Sequence, residues 1–124
     1  MAATDLALHL TRVAAQAASD KQGRDLVAYD VSERLAITDV FLIVTANNER
    51  QVGAIVDAIE EALHADGHKV LRREGDREAR WVLLDFLDLV VHVQHSEERQ
   101  LYSLERLWRD CPAIPLDVDA PEPA

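Results

Sequence analysis

Between Trp81 and His95 the chain reads WVLLDFLDLVVHVQH, two apolar runs on either side of Asp85-Phe86-Leu87-Asp88. Runs this short, rich in valine and leucine and punctuated by acids, read as two strands of a hairpin. A two-residue loop between Asp85 and Asp88 sets the pairing. Trp81 then faces His92, Leu83 faces Val90 and Asp85 faces Asp88, with Gln94 continuing the same side. The opposite side holds Val82, Leu84, Leu89, Val91 and Val93. A purely apolar side must lie on a core, so the chain has to build a sheet with helices packed on it.

The first side is unlike a core. It mixes an indole, two carboxylates, an imidazole and an amide with two aliphatics, a composition that suits an interface. Opposed carboxylates repel unless solvent, a metal or a partner's Lys or Arg compensates them. Trp81 is then a candidate anchor and Phe86 an apolar knob at the loop tip. The plain alternatives are turn acids for Asp85 and Asp88, a core-rim position for Trp81 and a structural hydrogen bond for His92. His92 and His95 are three apart on a strand and point to opposite sides, so they cannot share a metal.

The rest of the chain supplies the remaining layers. Leu6, Leu10, Val13, Ala14 and Ala17 recur at helical spacing over about 5–19, with Thr4 as N-cap and Gly23 as the stop. Asp25–Val31 is a strand, and Val40–Ala46 is apolar on both faces, as a central strand should be. Val52, Ile55, Val56, Ile59 and Leu63 form one stripe of a helix capped by Asn48, with Gln51 completing a capping box and Gly67 ending it. KVLRR is a short strand. Ser96 caps a last helix running to about Asp110, with Leu101, Leu104, Leu107, Trp108 and Cys111 as its buried side. The order is helix, two strands, helix, three strands, helix. This is one α/β domain, 1–111, with a mixed sheet of about five strands. A Pro-rich, acidic tail expected to be mobile follows at 112–124.

The chain has 124 residues and a formal net charge of −10. Such a balance disfavours nonspecific binding to nucleic acid or membranes and favours a basic partner or, more commonly, simply serves solubility. Cys111 is the only cysteine, so neither an internal disulfide nor a cysteine-built zinc site is available. No signal peptide or membrane span is apparent, and a reducing, cytoplasmic setting is expected. No Walker loop, dinucleotide fingerprint or nucleophile elbow occurs, and the glycines are dispersed. Asp85 and Asp88 converging with Asp30 or Asp39 on a metal is the one enzymatic reading open. Arg72, Arg73, Arg77 and Arg80 form the one local basic patch and are candidates for RNA phosphates. The interleaved acids Glu74, Asp76 and Glu78 favour a solvated surface instead.

The segments DLVAYDV, ITDVFLIVTANNERQV, EG before WVLLDFLDLVVHV, and ERQLYSLERLWRD resemble the ribosomal silencing factor (RsfS, Iojap-like) family. The resemblance implies a nucleotidyltransferase-like topology without catalytic residues, no enzyme activity and no cofactor. It implies binding to the fourteenth protein of the large ribosomal subunit at the face where the small subunit docks, which lowers translation when nutrients run short. It also implies a homodimer when free. The site residues carried over are Trp81, Asp85, Phe86, Asp88 and His92 from the hairpin, and Tyr102, Glu105 and Trp108 from the last helix. An assembly role through the same contact and a metal-dependent nucleotidyltransferase-like enzyme are the alternatives. The family usually has Gly where Leu87 stands, Thr-Gly at Thr45-Ala46 and His at Gln51. A leucine at 87 makes a tight primed turn costly, and a wider turn with the register slipped by one is the alternative.

Overall fold

Val40–Ala46, apolar at every position but Thr45, takes the interior place that its composition requires. In the computed structural model, which describes residues 2–75, 80–116 and 118 and only the backbone of Tyr102, it is the second of five strands. The elements are α1 (Asp5–Asp20), β1 (Arg24–Asp30), β2 (Val40–Ala46), α2 (Glu49–Ala65), β3 (Arg72–Glu74), β4 (Trp81–Asp85), β5 (Leu89–His95), α3 (Ser96–Tyr102) and α4 (Leu104–Trp108). The sheet order is β1-β2-β5-β4-β3. Only β2 and β5 run parallel, so α2 belongs to their crossover and the sheet is mixed. No helix among the described residues is long and apolar enough to cross a membrane.

α1 and α2 cover one face. Leu10, Ala14 and Ala18 of α1 and Ile55, Ile59 and Leu63 of α2 bury with Leu42, Val44, Val82, Leu84, Val91 and Val93. Thr4 caps α1 by accepting from the Ala7 N–H at 3.1 Å, and Asn48 caps α2 by accepting from the Gln51 N–H at 2.8 Å. The capping box is offset by one residue: Gln51 Oε1 accepts from the Asn47 N–H at 2.6 Å. Its amide nitrogen donates to the carbonyls of Lys21 and Gln22, tying the start of α2 to the end of α1. Gly23 is required there by space. A Cβ would sit 2.9 Å from the Ala18 carbonyl oxygen and 2.8 Å from Val44, while Gln22 takes the left-handed turn.

Two differences from the expected elements concern the C-terminal third. The single last helix is two, broken at Ser103, whose φ is +39°. The break interrupts the 3.6-residue phase, so the predicted buried stripe does not hold. Leu101 and Leu107 are 73% and 63% exposed, Trp108 is half-buried and Cys111 is buried. The helix is capped by His95, whose Nδ1 accepts from the Glu97 N–H, rather than by Ser96. Pro112–Ile114, read from sequence as the start of a mobile tail, runs along β1. The Asp30 N–H donates to the Pro112 carbonyl and the Ile114 N–H to the Ala28 carbonyl, both at 2.8 Å. Ile114, Leu116 and Val118 pack partly buried against the core.

Candidate partner-binding face

The β4–β5 hairpin pairs Trp81 with Gln94, Leu83 with His92 and Asp85 with Val90. This is two residues away from the expected register, and not one. An even shift keeps every side chain on its predicted face. The turn itself is tight and centred on Leu87 and Asp88. The Phe86 N–H donates to the Leu89 carbonyl at 2.9 Å, and the Asp88 N–H to the Phe86 carbonyl at 3.0 Å. The latter bond, with φ of +75° at Leu87, makes a γ-turn of the strained hand. Such a conformation costs a non-glycine residue about 1 kcal/mol or more. Asp85 supports it, its Oδ1 accepting from the Leu87 N–H at 2.8 Å.

This turn corrects the placing of Phe86 at the loop tip. Phe86 directly follows β4, the alternation of Val82 and Leu84 continues to it and sends it to the helix-covered side, and it is only 6% exposed. Leu87 takes the tip instead, at 57% exposure. The two acids no longer oppose each other, which removes the expected repulsion. Asp88 also fastens the hairpin to the start of β2 through its backbone carbonyl, which accepts from Asp39 and Val40.

Trp81, Leu83, Asp85, Val90 and His92 share the face away from α1 and α2. Rings run across it. The Trp81 indole N–H donates to His92 Nδ1 at 3.2 Å. Phe41 meets His92 edge-on at 5.3 Å and Trp108 at 5.1 Å. An indole nitrogen only donates, so Nδ1 of His92 carries the lone pair and the ring proton sits on Nε2. Burial pushes this histidine's pKa down to about 4, so it is neutral at pH 7. With Nδ1 engaged and Nε2 buried, His92 orients the indole and is not offered as a metal ligand. Gln94 lies fully buried in the next row, with no hydrogen-bond partner for either amide atom among the described residues.

α3 and α4 roof the adjoining part of this face. Arg99, buried, donates to Thr45 Oγ1 at 2.7 Å and grips Glu105 through two nitrogens at 2.6–3.1 Å. Glu105, expected at a partner contact, is thus engaged internally, and the Arg99 guanidinium holds its carboxyl below the usual range against the opposing effect of burial. Tyr102 closes α3, and its side chain lies outside the described residues.

The enzymatic and RNA readings fare differently from the hairpin. Asp30 accepts from the Ala3 N–H and from Ser32, and Asp39 from the Thr4 N–H. These acids anchor the N-terminal segment. Among the described residues no group of three or more His, Cys, Asp or Glu could hold a metal ion. Beyond the ends of β2 and β5, where α2 and α3 leave on opposite faces, an α/β sheet usually binds its ligand. Arg80 fills that place, bonded to Glu98, Glu97 and Glu49 at 2.9, 3.3 and 3.4 Å. Three carboxylates around one guanidinium would repel a nucleotide's phosphates. Arg72 pairs with Glu74 and Arg73 with Glu60, so these basic groups are offset by their own neighbours. Arg77 lies outside the described residues.

Sequence reasoning missed Phe41 and Arg99, and it put Phe86 rather than Leu87 at the tip. Phe41 was hidden in a run apolar on both faces, and Arg99 in a polar helix start. The left-handed residue at 87 was signalled by the tight spacing between the strands and by the glycine usual in the family at that position.

A family model described as "Ribosomal silencing factor during starvation" matches residues 4–124. This chain belongs to that family. The ribosomal silencing factor RsfS of Bacillus subtilis is 43% identical over 108 residues, covering 87% of this chain and 92% of that protein. A crystal structure of a Bacillus halodurans protein superposes with a TM-score of 0.78 at 38% identity, covering 88% of this chain and 99% of the other. A mouse protein named "Mitochondrial assembly of ribosomal large subunit protein 1" is 28% identical over 91 residues, covering 71% of this chain and 40% of that protein. The likeness supports a role in ribosomal silencing or assembly at the family level.

Proposed function

We propose that this protein silences translation by binding the large ribosomal subunit through its fourteenth protein and blocking the small subunit from joining. The observation that carries the reading is the open half of the sheet. There Trp81, held by His92, stands half-buried beside Leu83 and Val90, with Asp85 and Asp88 at one end. A basic ribosomal protein would meet the carboxylates with Arg or Lys and bury the indole. Phe86 contributes from beneath, by shaping the hairpin, and Glu105 by fixing α4. Tyr102 belongs to the contact through its place at the end of α3. Occlusion needs no catalytic residue, so the topology serves as a nucleotidyltransferase-like scaffold without catalysis. A cytoplasmic location, a homodimer when free and a minor contact of Arg72 or Arg73 with RNA complete the proposal.

Sedimentation with purified large subunits, followed by a subunit-joining assay, tests it. Trp81→Ala should weaken binding by about 2 kcal/mol or more. Asp85→Asn, which keeps an acceptor for the Leu87 N–H and removes the charge, should weaken it less. Normal cosedimentation of both variants would reject the face. The mouse relative's name favours an assembly role as the second reading, and precursor particles accumulating in cells lacking the protein would support it.

A further inference from the structure

Leu87 is a poor residue for the fold on two counts. Its backbone is left-handed, where glycine is at ease, and its aliphatic side chain is mostly in solvent. Yet the turn is built firmly around it, by the Asp85 carboxylate on its N–H and by the γ-turn bond that spans it. Backbone strain that the surroundings hold in place, under an exposed apolar group, is the pattern of a contact residue.

We infer that Leu87 is a specificity-determining contact for a long basic side chain of the partner. The aliphatic stem of a partner Arg or Lys packs on Leu87, and its cationic head reaches the carboxylate of Asp85. Charge complementarity selects this occupant. Asp85 Oδ1 is taken by the Leu87 N–H, which leaves Oδ2 to accept from a visitor. Arg72, directly across from Asp85 on β3, turns its guanidinium to Glu74 instead. Asp88 adds a second acid at the same tip. The stem of an arginine or lysine is apolar and buries well against leucine, while its head stays hydrogen-bonded. The inference rests on the proposed ribosomal contact and adds to it the side chain that discriminates.

The test compares Leu87→Gly, Leu87→Ala, Leu87→Met and Trp81→Ala in thermal unfolding and in binding to purified large subunits. Leu87→Gly should unfold a few degrees higher, because the strain is relieved. It should also bind about tenfold more weakly, because the aliphatic contact is gone. Leu87→Ala should lose the same affinity without the gain in stability, which separates lost contact from added flexibility. Leu87→Met should bind nearly as the native protein does. If the Gly and Ala variants bind normally while Trp81→Ala does not, the role of Leu87 is refuted and the face stands. If all variants bind normally, the face itself is refuted. A Leu87→Gly protein no more stable than the native one removes the strain, and with it the inference.

Discussion

The two faces of the sheet are made from alternate residues of the same strands, and they obey different rules. On the face under α1 and α2, Val82, Leu84, Leu89, Val91 and Val93 are all buried, and packing accounts for each. On the other face, Trp81, Leu83 and Asp85 are half-buried, His92 is neutral and gripped by an indole, and the roof of α3 and α4 covers only part. The covered face sets whether the chain folds. The open face carries groups whose presence folding alone does not explain. Period-two alternation lets one strand serve both ends with little interference.

That division can be broken most forcefully on the covered face. Leu84→Ala should cost about 2–5 kcal/mol in urea unfolding, since a fully buried aliphatic leaves a cavity. A loss below about 1 kcal/mol would show that this face is loosely packed and the contrast overstated.

Next in size is His92. The unfolded chain takes up a proton near pH 6.5 and the folded one only near 4. Its contribution is therefore complete above pH 6.5 and drains away as pH falls toward 4, by about 3 kcal/mol in all. His92→Gln should flatten this leg of the stability–pH curve. Protonation also fills Nδ1 and ends its acceptance from Trp81, so indole fluorescence should change in the same window. An unchanged slope in the variant would place the titration elsewhere.

Arg99→Ala should cost about 1–2 kcal/mol, by removing charged hydrogen bonds to Glu105 and Thr45. Glu105 titrates lower in the folded state than in the unfolded, so the stability it confers is present above its unfolded pKa near 4.5 and is lost as pH falls further. The variant should lose that acid-side dependence. The smallest effect expected is the gain of about 0.5–1 kcal/mol for Leu87→Gly.

Much of the architecture was legible in the sequence because alternation and helical spacing report which side of an element is wet. The stripe on α2, the interior place of β2 and both faces of the hairpin came from those periods alone. The register was less accessible. It depended on Leu87 accepting a left-handed backbone, which runs against the preference of a leucine. Phe86 was misplaced for the same reason, since its face follows from where the turn falls. The break at Ser103 left no local mark, so the exposure of Leu101 and Leu107 was hidden behind an unbroken helical spacing. At the candidate site, the sequence named Trp81, Asp85, Asp88 and His92 as one side. It did not show that Glu105 is claimed by Arg99, because a residue pair six apart across a helix break has no fixed geometry.

Asp30 has a consequence for handling this protein. Its carboxylate receives the Ala3 N–H and its own N–H reaches Pro112, so the segment before α1 and the segment after α4 are moored to one residue of an outer strand. Fluorophores attached at Ala3 and Ala113 will therefore sit together at the β1 edge, the edge opposite β3.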